Sequence, residues 1–410
     1  MQNSGSIWGG SSQIADLWAD CPACGSRYGA YFASCPQCGR ENSFAIAAVN
    51  PERNSRGTAA KVAVAAIGII GALMLVLAFL APAIPALLGT EGAPPAISIL
   101  PPFRQEPEAI PQSELVQHAL DVINKDRTSF GLEPVALSTN LAAQVHAEDV
   151  FKNKQISHWM SNGEKPYMTY SRYGGTGGMG QNVAIAGFSK DQYDQCVQNT
   201  LYDCEKIDPL ATIEELEYEM MYNDKDCCAD GHRNNILNNY HTNVSIGIVY
   251  DKYYLALVQN FENNYGLDID LQSNLVHISG KFAAAAAGTI DQVAIYYDEN
   301  PSPELYEQNK RSLSYSGGKL VAVVAKPLPP GFFYDRPEGY RIMVADKWNT
   351  EGEGDADGSS TPIDISFNLA RAVRADGVYT VSVIAKASGS DENFEAGSYS
   401  VVIDSTDQAE

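Results

Sequence analysis

The segment GHRNNIL (231–237), followed closely by NVSIGIVY (243–250) and YLALVQNF (254–261), sets the architecture of the middle of this chain. The two apolar runs are rich in β-branched residues and short enough to be strands. Upstream the pattern is helical. A helix opens at Ser113, with Leu115, Ala119 and Ile123 in one apolar row and Val116 and Leu120 beside it. Gly131 is its expected stop. Ser138 and Asn140 are placed to cap a second helix, LAAQVHAEDVFKNK, which ends close to Ile156-Ser157-His158. Helices first and strands after, around one core, predict an α+β domain over 113–264.

The order of motifs carries a resemblance. An ALDVINKDRTSFGLEPVALS opening precedes a helix containing AEDV, and the pair Ser157-His158 follows. A glycine-rich segment ends in Gly180-Gln181-Asn182-Val183-Ala184, and GHRNNIL leads into Val244-Ser245-Ile246-Gly247-Ile248. Over about 112–264 this resembles the CAP superfamily (cysteine-rich secretory proteins, antigen 5, pathogenesis-related 1; SCP domains) in its prokaryotic form. The resemblance implies an α-β-α sandwich and a cleft with two histidines and two acids that in some members hold a divalent metal. His158 and His232 correspond to the histidines. Gln181 stands where the first acid belongs, and Asp224 is the best match to the second, ahead of Glu219 and Glu217. An amide is a weak ligand for a transition metal, although two histidines and one acid can still hold Zn²⁺.

Plainer readings compete at each position. His158 could cap the second helix, and His232 could fix its own loop. Ser157 or Ser161 with His232 would be a nucleophile pair, but no G-x-S-x-G elbow accompanies them. The literal G-x-G-x-x-G at Gly175–Gly180 lacks the preceding strand and following helix of a phosphate-binding turn, and reads as a flexible loop lining the cleft. Asn243-Val244-Ser245 is a glycosylation sequon at a strand start.

The chain of 410 residues has room for several domains, and its charge is unevenly spread. Residues 62–90 contain no Asp, Glu, Lys or Arg, whereas 91–410 carry 46 acidic against 23 basic residues. So acidic a balance argues against a nucleic-acid partner bound through a broad cationic surface. Val62 to Ala81, VAVAAIGIIGALMLVLAFLA, is long enough for a transmembrane helix across a hydrocarbon core of roughly 30 Å. Arg53, Arg56 and Lys61, within a basic juxtamembrane segment at 46–61, put the N-terminal side in the cytoplasm and the C-terminal domains outside. The chain reads as a single-pass signal-anchor protein of the cell membrane. Residues 82–112 hold eight prolines and form an extended linker.

The eight cysteines divide around this span. Cys21, Cys24, Cys35 and Cys38, as CPACG and CPQCG, supply four thiolates for Zn²⁺ and resemble a zinc ribbon within 1–45. The other four are Cys196, Cys204, Cys227 and Cys228, which allow three disulfide pairings. A bond between the adjacent Cys227 and Cys228 would close a strained ring, so bridges from 196/204 to 227/228 are expected, with a second zinc site as the alternative.

From 266 to 410 seven short runs separated by turns predict an all-β, antiparallel, Ig-like sandwich: 275–282, 292–297, 319–325, 340–345, 363–369, 377–385 and 398–403. Glu353, Asp355, Asp357, Gly358 and Asp364 approximate a calcium loop, and a solvated acidic hairpin is the alternative. The expected function is that of a membrane-anchored extracellular CAP-domain protein. It would bind a lipid, glycan or protein through the His/acid cleft, with a further protein partner in the cytoplasm. The alternative is an extracellular metal-dependent hydrolase or peptidase using the same cleft.

Overall fold

The computed structural model describes residues 18–20, 27–29, 110–198, 204–282, 288–350, 360–387 and 392–404. The chain divides into two compact units, 1–110 and 111–410. In the first, β1 (Trp18–Asp20) pairs antiparallel with β2 (Arg27–Gly29), so Cys21 and Cys24 fall between two paired strands in sequence. The four ribbon cysteines, the segments 46–61 and 62–81, and nearly all of the linker lie outside the described residues. Among the described residues no helix is long and apolar enough to cross a membrane.

The second unit begins with α1 (Gln112–Ser129), β3 (Ala136–Leu137), α2 (Ala142–Asn153), α3 (Pro166–Arg172), β4 (Gly178–Gly187) and α4 (Lys190–Gln198). It continues with α5 (Pro209–Tyr222), α6 (Lys225–Cys228), α7 (Gly231–Ile236), β5 (Asn243–Tyr250) and β6 (Tyr254–Asn263). The four strands form one mixed sheet in the order β3-β5-β6-β4.

Strand alternation gives this sheet two buried faces. Val183, Tyr254, Ala256 and Val258 pack against Ala143, Ala147 and Val150 of α2. The opposite face meets α5, where the Gln259 amide donates to Glu217 at 2.6 Å. Helices on both faces of a four-stranded sheet make the α-β-α arrangement that the motif order implies. Close approach of α2 depends on Gly247, because a Cβ there would run into the Ala143 carbonyl.

Buried Arg127 ties α1 to the chain that follows α7. Its guanidinium donates to the carbonyls of Glu133, Ile236, Asn238 and His241 at 3.0, 2.7, 2.9 and 3.3 Å. Four carbonyl acceptors satisfy a cation that would be costly to bury unpaired.

The remaining elements are β7 (Leu267–Gln272), β8 (Leu275–Phe282), β9 (Thr289–Asp298), α8 (Pro303–Asn309), β10 (Lys319–Ala325) and β11 (Arg341–Val344). They are completed by β12 (Lys347–Asn349), β13 (Thr361–Asn368), β14 (Gly377–Lys386) and β15 (Asn393–Ile403). Two sheets, β11-β10-β9-β14-β15 and β12-β13-β8-β7, enclose one apolar core that includes Ile278, Val293, Ile295, Val324, Ile365 and Val383.

The sandwich departs from the sequence expectation in two respects. β10 and β11 run parallel, because residues 326–340 cross over between them, and helix α8 interrupts the all-β pattern. The nominal calcium loop loses its last ligand. Asp364 sits on β13 paired with Lys347 and His277, while its other expected ligands lie outside the described residues.

Sandwich and helical domain share a polar seam. Lys165 and Tyr167 both bond Asp298 at the end of β9, at 2.7 and 2.6 Å. The Asn263 amide donates to the Glu395 carbonyl at 2.6 Å, and Ser398 and Ser400 donate backbone N–H groups to Thr176 and Ser171.

Candidate functional site

Helix α2 ends at Lys154, whose left-handed φ of 51° turns the chain back over the sheet. The returning segment brings Ser157 and His158 above β4. There His158 Nδ1 lies 3.0 Å from Gln181 Oε1. The Gln181 amide nitrogen in turn lies 3.0 Å from both His146 Nδ1 and Asn260 Oδ1, and His146 Nε2 lies 2.9 Å from the Ser157 carbonyl. Nitrogen, amide and imidazole thus form a neutral relay across the face of the sheet. Gln181 is buried, as the fully paired amide of such a relay should be.

Both imidazoles favour the neutral form. Burial pushes His146 and His158 down to about 4, and His232 acts on His158 electrostatically in the same direction.

The second half of the cleft grows out of GHRNNIL. The Asn235 side chain donates to the Gln181 carbonyl at 3.2 Å and to Asn182 Oδ1 at 2.9 Å. Asn182 donates to the His232 carbonyl at 3.2 Å. These bonds pin α7 across β4, and Gly180 is needed because a Cβ would press on Asn235. Asp224 anchors the other end. Its Oδ1 lies 2.6 Å from His232 Nδ1, and its Oδ2 accepts backbone N–H groups from His232 and Arg233 at 2.7 and 3.2 Å.

The four sequence-selected residues therefore stand in two pairs, His158–Gln181 and Asp224–His232. The other acids point elsewhere: Glu217 is buried against Gln259, and Glu219 bonds Asn223. Neither serine reaches His232. Ser161 donates to Asp149, and Ser157 Oγ accepts from the Trp159 amide. The glycine-rich stretch is irregular only over 175–177. Gly178 onward is β4, and Gly175, Gly177 and Gly178 are buried because Tyr170, Asn263 and Glu395 press on them.

Sequence reasoning missed two groups. His146 falls on the apolar row of α2 between Ala143 and Ala147, where it looks like core. Tyr315 comes from the sandwich, about 150 residues away in sequence, and covers His158 with ring centroids 5.2 Å apart. No local pattern announces such a contact.

The disulfide expectation is overturned. Cys196 pairs with Cys204, and Cys227 with Cys228. The Cα atoms of Cys196 and Cys204 stand 5.9 Å apart, within bridging range. Helix α4 docks through Tyr193 on Asp251, whereas α6 leads from α5 into α7, so the two cysteine pairs are delivered to different elements.

Cys227 and Cys228 lie beside Asp224 and His232, and one ligand atom from each of the four lies within 4.8 Å of the others. No curated protein matches the chain. Residues 120–261, which supply every one of the four cleft residues and both strands that frame them, match the family model described as CAP, cysteine-rich secretory protein family, so this part of the chain is a CAP domain.

Proposed function

We propose that the chain is a membrane-anchored cell-surface binding protein whose CAP cleft engages an extracellular protein ligand. One observation carries this reading: the site of the first acid holds Gln181, whose amide bonds His146, His158 and Asn260. A carboxylate there would offer metal-binding charge. The amide instead holds two neutral imidazoles in place, and Tyr315 packs against that of His158. What remains for a ligand is the Asp224–His232 side, where the imidazole is partly exposed. The uncharged stretch 62–81, preceded by Arg53, Arg56 and Lys61, supports an N-terminus in the cytoplasm and CAP and sandwich domains outside. The paired strands around Cys21 and Cys24 are compatible with a zinc ribbon on the inner side, where a cytoplasmic protein would dock.

The Asp224–His232 pair supports a second reading, a metal-dependent hydrolase, because an acid on Nδ1 leaves Nε2 free as ligand or base. His158→Ala and His232→Ala separate the two. The binding reading expects ligand capture to fall in both variants while ester and peptide hydrolysis stays at the buffer rate throughout. Wild-type hydrolysis that disappears in both variants together with one metal equivalent would establish the hydrolase.

A further inference from the structure

We propose that Asp224, Cys227, Cys228 and His232 form a redox-gated zinc site, closed when the two cysteines are joined and open when they are reduced. The cluster offers two sulfurs, an imidazole nitrogen and a carboxylate oxygen, all within 4.8 Å of one another. Tetrahedral zinc with bonds of about 2.0–2.3 Å needs ligand atoms roughly 3.3–3.8 Å apart, so small side-chain movements suffice. Cys227 Sγ already lies 3.8 Å from Asp224 Oδ1. The donor set of two thiolates, one imidazole and one carboxylate suits a borderline-soft, four-coordinate cation.

The local backbone is shaped around this point. Ala229 and Asp230 both adopt left-handed φ values, 51° and 62°, although neither is glycine. Their conformation folds the chain between α6 and α7 so that His232 returns onto Asp224. Left-handed non-glycine residues persist where the surroundings over-determine them, and such places are often ligand clamps or switches. Here the Asp224 carboxylate supplies the constraint through the His232 and Arg233 amides.

Reduction follows ordinary exchange. A thiolate of a small dithiol attacks the sulfur of Cys227, which is the exposed member of the pair. The Cys227–Cys228 bond breaks, a mixed disulfide forms, and the second thiol of the reagent displaces Cys227. The reagent leaves as its own disulfide, and the protein gains two thiols. Zinc then binds with loss of one proton from each thiol, its remaining positions taken by the Asp224 carboxylate and the His232 imidazole. His158 is not among the clustered ligands, and its Nδ1 is engaged by Gln181. The site is therefore distinct from a centre built on both histidines, and it does not depend on the binding function proposed above.

The test uses the full chain, wild type and the double variant Cys227→Ser/Cys228→Ser, each with and without a dithiol reductant under anaerobic conditions. After equilibration with zinc and removal of free metal, zinc per chain is measured. Reduced wild type is expected to retain one equivalent more than the reduced double variant, and this difference should vanish without the reductant. His232→Ala and Asp224→Asn should remove the extra equivalent, whereas His158→Ala should keep it. Equal zinc in reduced wild type and double variant overturns the proposal, and so does loss of the extra equivalent in His158→Ala. Should the double variant fail to fold, thiol alkylation of reduced wild type followed by mass analysis decides. Zinc is expected to protect Cys227 and Cys228, and unprotected labelling of both would overturn the site.

Discussion

Glu217 shows how a single side chain in this domain is set by its surroundings. It is almost wholly buried on α5, accepts one bond from Gln259, and burial pushes its carboxyl up to about 8. The folded state therefore binds a proton that the unfolded chain releases near its ordinary value of 4.5. Glu217 supports the fold below pH 4.5, and that support is lost as pH rises towards 8. Glu217→Gln removes the titration, so its stability relative to wild type should grow between pH 4.5 and 8, by on the order of a few kcal/mol. Denaturant melts of the two proteins at pH 5 and pH 8 check this, and a constant difference would refute it. His146, His158 and His241 act in the opposite sense, since each is lowered to about 4 chiefly by burial. Their support is present above pH 6.5 and lost as pH falls through 4, so these residues contribute to acid sensitivity. At this scale the resemblance to the CAP superfamily singled out His158, Gln181 and His232, with Asp224 as the best match to the second acid. It did not show their pairing. A glutamine in place of an acid reads as a missing ligand until its amide is seen to join two histidines and an asparagine.

Among the elements, the packing of α2 on the sheet is the most exposed to a single change. Gly247→Ala would place a methyl group against the Ala143 carbonyl and is expected to destabilise the domain by roughly 1–3 kcal/mol, read as a lowered unfolding midpoint. The seam between α3 and β9 is next. Lys165 and Asp298 form a mostly buried pair, with side chains 7% and 11% exposed. Asp298→Ala should cost about 3–5 kcal/mol by leaving Lys165 uncompensated. Lys165→Met combined with Asp298→Leu should recover much of that loss, and a double-mutant cycle in urea measures the coupling. All seven expected sandwich strands are present; β8 and β13 bury alternate residues at period two, whereas β10 and β14 are short, nearly continuous apolar or buried runs. β7 and β12 went unseen. β12 has three residues, too few for a period, and β7 alternates Leu267, Ile269 and Leu271 with polar partners directly after the CAP domain. Crossover of 326–340 and the insertion of α8 were equally illegible, since partner choice is made by distant strands.

For the whole molecule, the charge distribution and the architecture describe the same division. The acidic part of the chain is the part that folds into CAP domain and sandwich, joined by Asp298, Asn263 and β15 into one unit. Its excess of carboxylates favours solubility and discourages contact with anionic surfaces. The sandwich does more than accompany the CAP domain, because it supplies Tyr315 as the cover of His158. In the proposed binding mode Gln181 makes the His158 side of the site a neutral wall. The most direct measurement is the metal content of the unreduced full chain, wild type against His158→Ala, with Gln181→Glu as the third sample. Wild type and His158→Ala are predicted to hold equal amounts of metal, and Gln181→Glu to gain an equivalent that His158→Ala removes. A metal equivalent in wild type that disappears on His158→Ala would contradict the account.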